Sequence, residues 1–241
     1  MIGVRPSVPL QAPEPAWSLP SGVRLSQWQL EVISGLLVTL PVFLQAPWVR
    51  QAPFSAALFT AVLFCVGLAL EHQSHPRAKH LGALVVGFCG SWLAGCLFWG
   101  WFRCHPVLHL PIEAIALPLA LGGLGGRWRL ACGFYLGSLV GTAATDLAIA
   151  ATGVMPLWPQ VVQAGPTQAA NLLQQAAQQV LQPAPLLVVV LSAAALLQLC
   201  RWLWQQGPTA RVFAAALATT LTVDGLFLLA ALAAPRFSGL I

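Results

Sequence analysis

Charge is what this chain has least of. Six acidic and eleven basic residues serve 241 positions, so 7% of the chain is charged against 58% hydrophobic. A soluble domain carries about a quarter charged residues. This chain has too little charge to cover a water-facing surface, so its solvent is lipid. It also lacks any basic run: the cations stand singly or in pairs between apolar segments. The net charge of +5 therefore reads as topology control rather than a nucleic-acid footprint. The six cysteines include no C-x-x-C pair, which argues against a disulfide scaffold, a zinc finger or an iron–sulfur site. Most of them fall in apolar segments, where free Cys behaves as a small hydrophobe. The zinc helix H-E-x-x-H, the nucleophile elbow G-x-S-x-G and the P-loop are absent. So is the glycine and tyrosine pattern that a protease built on Asp146 and Asp224 would need. No enzymatic activity, metal or cofactor is expected. Residues 1–27 are Pro-rich, carry no secretory signal and read as a disordered leader.

What the chain does contain is a series of apolar runs at residues 30–44, 53–70, 81–102, 107–124, 130–151, 184–204 and 212–234. A bilayer core takes about 20 apolar residues per helix. The expectation is an all-α, polytopic integral membrane helical bundle of about seven spans, one domain over residues 28–241. The first two runs are the weakest, the first being short and broken by Pro41. With the N-terminus cytoplasmic, Arg5, Arg24, Arg77, Lys79, Arg127, Arg129, Arg201 and Arg211 fall inside and Arg50, Arg103 and Arg236 outside, the direction that inserted helices favour. Trp28, Trp128, Trp202 and Trp204 then mark inner span ends, and Trp48, Trp99, Trp101 and Trp158 outer ones. The run Gly122-Gly123-Leu124-Gly125-Gly126 reads as a helix end or hinge.

Three of the six acids, Glu113, Asp146 and Asp224, lie within apolar runs. A charge at mid-bilayer costs at least ~2.5–3.5 kcal/mol on insertion scales, so such residues face partners or a polar cavity. Glu113 and Asp146 fall at similar depth near outer span ends, and Asp224 is expected deeper. His105, His109 and Glu113 stand at i, i+4 and i+8, a spacing that on a continuous helix would serve a metal or a proton path. Pro106 and Pro111 interrupt that ladder. Structural hydrogen bonding with Arg103 or Asp146 is the alternative, and His105 and His109 are also candidate axial ligands for chlorophyll. His72, His75 and His80 form a second group, read as a solvated cytoplasmic loop. Gly133, Gly137 and Gly141, followed by Thr145 at the same interval, make a small-residue stripe for close helix packing. Residues 167–182 repeat Ala169, Leu173, Ala176 and Val180 on one face, with uncharged Gln and Asn on the other. A surface helix for anionic lipid would carry Lys or Arg. This one fits an amphipathic helix lying on the bilayer or bundle, or a docking face for a membrane-protein partner.

The stretches HPVLHLPIEAIALP (105–118) and CGFYLGSLVGTAATD (132–146) resemble a cyanobacterial multipass membrane family, domain-of-unknown-function family 3120. The resemblance implies a plasma or thylakoid membrane and implies no reaction. Gly125-Gly126-Arg127 with the glycine stripe and Asp146-Leu147 is similar, more faintly, to vitamin-binding subunits of energy-coupling-factor transporters, with Arg127 in place of the usual proline.

Two functions are expected from these readings. One is an accessory or assembly factor of a membrane complex, with a photosynthetic complex among the candidates. The other is a small permease or substrate-capture subunit whose polar cluster is Glu113, Asp146, Asp224, His109, His105 and Arg103. A reporter enzyme active only outside the cytoplasm should be silent when fused after Gly125 and active when fused after Gly153. The opposite pattern would place the N-terminus outside.

Overall fold

The computed structural model describes residues 25–235, and no strand occurs among them. The expected leader lies almost wholly outside the described residues, as do Arg5, Arg24 and Arg236. The first helix begins at Gln27, inside the expected leader boundary, where Ser26 and Gln29 form a reciprocal capping box. The elements are α1 (Gln27–Gln51), α2 (Pro53–Glu71), α3 (Pro76–Phe102), α4 (Pro106–Gly123), α5 (Arg129–Ala151), α6 (Trp158–Gln163), α7 (Pro166–Val180), α8 (Pro183–Leu203) and α9 (Pro208–Ala233). Helices α1–α5, α8 and α9 are long and apolar enough to cross a membrane. The first two runs, the weakest in the sequence, are both of that length. Proline opens α2, α3, α4, α7, α8 and α9, where its missing N–H is no loss and its fixed φ suits the first turn.

Side-chain contacts fix the helix directions. Trp92 Nε1 of α3 donates to the Ala56 carbonyl of α2 at 3.0 Å, and Gly82 packs against Gly67 nearer the connecting loop, so α2 and α3 run antiparallel. Along α5, Gly133 faces Thr209, Gly137 faces Phe213, Gly141 faces Thr220 and Thr145 meets Asp224, so α5 and α9 run parallel. Cys200 against Ala214 makes α8 antiparallel to α9.

The core gathers around α3. Leu84, Phe88, Trp92, Cys96 and Phe98 are all at most 2% exposed. Helix α1 bends through a π-turn at Pro41–Gln45, with Pro47 just beyond it, the ordinary setting of a helix kink. The turn aims Gln45 inward, where its amide donates to the Trp92 carbonyl at 2.5 Å and reaches Cys96 Sγ at 2.9 Å.

After α5 the chain turns at Gly153 with φ of +74°, a value that favours glycine, and reaches α7 through the short α6. Ala170 and Ala177 of α7 are buried, while Gln168, Asn171, Gln175 and Gln178 are exposed. Gln179 donates to the Thr152 carbonyl at 3.0 Å. The amphipathic helix read from residues 167–182 is therefore a helix at Pro166–Val180, seated on the bundle by its small apolar face.

The glycine stripe holds α5 and α9 at backbone contact. A Cβ at Gly137 would collide with the carbonyl oxygen of Phe213, and one at Gly141 would stand 2.7 Å from Thr220 Cβ. At Gly225, on the same helix pair, a Cβ meets nothing within 4 Å. Gly137→Ala is expected to destabilise the protein by about 1–3 kcal/mol through overpacking, and Gly225→Ala to be neutral or slightly stabilising. Thermal unfolding in detergent separates the two.

Candidate functional site

Helix α4 is not a continuous rod. A short α-turn, His109–Glu113, sits between 3-10 turns at Pro106–Leu108 and Ala114–Ala116, and a second α-segment, Leu117–Gly123, completes the span. Pro111 and Pro118 each lack the N–H that would tie the helix to the preceding turn. A carbonyl at the break takes a bond from outside its helix: Tyr135 of α5, the only tyrosine in the chain, donates its hydroxyl to the Glu113 carbonyl at 2.5 Å. In lipid such a break is tolerated only where protein groups satisfy the backbone.

The broken segment presents two side chains to α5. His109 Nδ1 lies 2.9 Å and 3.0 Å from the two Asp146 carboxylate oxygens. Those oxygens accept, so the ring proton belongs on Nδ1. On the other side of the ring, Nε2 is 3.9 Å from Glu113 Oε1, beyond hydrogen-bond length. Glu113 and Asp146 are each only 8% exposed. Thr145 Oγ1, on the residue next to Asp146, donates to Asp224 Oδ2 at 2.5 Å. Asp224 is thus level with Asp146, not deeper as expected: the parallel α5–α9 seam sets both at one height.

Aromatic rings close the cluster. Phe98, Trp158 and Trp99 lie 4.3 Å, 5.6 Å and 6.4 Å from the His109 ring centre. Trp99 and Trp158 stack on each other at 5.7 Å, and Trp158 Nε1 donates to the Arg103 carbonyl at 2.9 Å. The two tryptophans expected as separate outer markers are therefore partners.

The structure brings together Glu113, His109 and Asp146, with Asp224 bonded to the adjoining Thr145. It does not bring in His105, which precedes the broken helix and is exposed. Arg103 takes part through its main-chain oxygen, and its guanidinium forms no ion pair among the described residues. No three His, Cys, Asp or Glu side chains gather around a metal-sized point among the described residues. His72 turns back to the Leu68 carbonyl at 2.8 Å, and His75 Nδ1 accepts from the Arg77 N–H at 3.3 Å, capping α3. The sequence reading missed Tyr135, Phe98 and the role of Thr145 as a carboxylate partner. A lone tyrosine one helix away from a proline-broken carboxylate segment was the available signal.

Seven membrane-length helices, with a buried pairing of carboxylates and imidazole between α4 and α5, define a polytopic helical membrane protein. The chain belongs to the family described as Protein of unknown function (DUF3120), whose model matches residues 34–232. No curated protein and no solved structure matches it.

The His109–Asp146 bond makes a structural prediction. Asp146→Ala leaves a buried N–H without an acceptor and is expected to cost about 1–3 kcal/mol. Asp146→Asn keeps an acceptor oxygen and is expected to unfold at a higher temperature than Asp146→Ala. Equal melting of the two variants in detergent would show that the bond does not hold α4 to α5.

Proposed function

We propose that this protein is a small, non-enzymatic permease whose working centre is Glu113, His109, Asp146 and Asp224. One observation carries the reading: a proline-broken membrane helix delivers an imidazole and a carboxylate directly against a carboxylate of the next helix. Discontinuous helices with charged groups away from the membrane surface are the usual architecture of substrate and ion sites in transporters. Intramembrane ionisable residues that face the bundle interior mark such paths.

The geometry suits proton exchange. Asp146 fixes the His109 ring through Nδ1, which leaves Nε2 free to take up or release a proton beside Glu113. The 3.9 Å between them closes to bonding distance with a small shift of the broken segment.

A second reading rests on α7. Its exposed face is an uncharged row of Gln and Asn, and we infer from it an accessory role in which that face meets a partner in a plasma or thylakoid membrane. Native isolation that returned the protein within a larger complex, lost when Gln175 and Gln178 become Lys, would favour this reading.

The permease reading is tested in vesicles. Purified protein reconstituted under an imposed pH gradient is expected to carry protons or a coupled solute. Glu113→Gln and Asp146→Asn should each lower that flux at least tenfold, while Glu71→Gln, at the end of α2 and outside the cluster, should not. Full flux in both cluster variants would end this reading.

A further inference from the structure

We propose that the outward face of α8 is a self-association surface. A second copy of this chain docks there, and the two Gln198 side chains bond to each other across a two-fold axis along the membrane normal. Helix α8 joins the bundle by one side only. Cys200 reaches the Ala214 carbonyl of α9 at 3.7 Å, and Leu196 and Leu199 pack on the same part of α9. Gln198 stands two residues from Cys200, about 200° around the helix, so it points away from the bundle, and it is exposed. Leu187, Leu191 and Ala194 share its side of the helix and are exposed as well. These four residues follow one another at intervals of four, three and four, the spacing of a seam between two left-handed, supercoiled helices.

An outward amide is out of place in a membrane span. Gln45 of α1 turns inward to the Trp92 carbonyl, and the exposed Thr222 hydroxyl of α9 bonds the Ala218 carbonyl of its own helix at 2.8 Å. The Gln198 side chain makes no hydrogen bond with any described residue. It stands five residues before the end of α8 at Leu203, roughly 7–8 Å inside that end at the rise of an α-helix. Arg201 and Trp202 lie beyond it, at the end itself, where such side chains reach the headgroup layer. An amide without a partner in hydrocarbon costs free energy, and glutamine in membrane helices meets that cost by bonding across to another helix.

Symmetry selects a second copy as that other helix. Copies of one chain insert in one orientation, so a two-fold axis along the membrane normal sets each residue of the seam opposite itself at the same depth. An amide carries both an N–H donor and a carbonyl acceptor, so Gln198 is its own complement. A carboxylate or an ammonium group at this place would instead repel its twin. Ala194, one turn from Gln198, is small enough for the two helices to approach closely. The two Arg201 guanidinium groups lie past the amides at the watery end, where solvent separates and screens them.

The test measures resonance energy transfer between copies of the full chain labelled at the C-terminus, in phosphatidylcholine vesicles over a range of protein-to-lipid ratios. Purified protein without any other component is expected to associate saturably as a dimer. Gln198→Leu, more lipid-soluble than the native residue, should still weaken association by about threefold to tenfold, the range of one or two interhelical hydrogen bonds in lipid. Ala194→Phe should weaken it as well by holding the helices apart. Both changes face away from the bundle, so unaltered melting in detergent is expected and checks that the fold is intact. Leu58→Gln places an amide on the exposed side of α2 and should leave association as in the native chain. A monomer at every ratio would overturn the proposal and show that any partner of this face is a different molecule. Undiminished association in Gln198→Leu would overturn it too, as expected if the amide bends to the headgroup layer. Recovery of association when Leu58→Gln is added to Gln198→Leu would show that any outward amide suffices, and would remove the assignment to α8.

Discussion

In hydrocarbon a polar group must find its partner inside the protein, and the arrangement of this molecule follows from that requirement. The bilayer core supplies no water to bond a carboxylate or an open backbone carbonyl. Glu113, Asp146 and Asp224 therefore cannot each sit on a lipid-facing surface. Instead His109 stands between Glu113 of α4 and Asp146 of α5, Thr145 bonds Asp224 of α9, and the Tyr135 hydroxyl bonds the Glu113 carbonyl. Gln45, buried in the bend of α1, meets the same requirement with the Trp92 carbonyl.

The glycine stripe is what makes the meeting possible. Helices in membranes gain little from hydrophobic burial against each other, so contact depends on close backbone approach. Gly133, Gly137 and Gly141 bring α5 against Thr209, Phe213 and Thr220 of α9. The next residue at that interval, Thr145, then falls on Asp224. Packing and polar chemistry are thus one continuous seam, with apolar contact along most of its length and a hydrogen-bonded carboxylate at its end.

Sequence alone was enough for the spans, the small-residue stripe, the amphipathic α7 and three members of the cluster, because each rests on a periodicity or on a rare charge in an apolar run. Depth and rotation were not legible. Asp224 looked deeper than Asp146 because position along a helix says nothing of its neighbour's register, which the α5–α9 seam sets. His105 looked like a cluster member because i, i+4 spacing assumes a continuous helix, and the chain enters α4 only after it, at Pro106. Arg103 looked like a counter-ion because charge sign was all the sequence offered, whereas the structure uses its carbonyl. Tyr135 was signalled only as a lone tyrosine one helix from the proline-broken segment, because its partner is a main-chain oxygen of another helix.

The break in α4 is the feature that packing does not account for. An unbroken helix would satisfy its own backbone and could still bury apolar side chains against α5. Here the chain places Pro106, Pro111 and Pro118 within one span and then spends its only tyrosine on a carbonyl at the break. The gain lies in what the short turn presents: an imidazole held by one carboxylate and standing 3.9 Å from another. A purely structural cluster would be served better by closing that gap into a second hydrogen bond. A gap left open, on a segment jointed at both ends and roofed by stacked tryptophans, is what the proposed permease needs of a site that changes partners, and it is why that proposal rests on the centre of α4 rather than on the exposed face of α7.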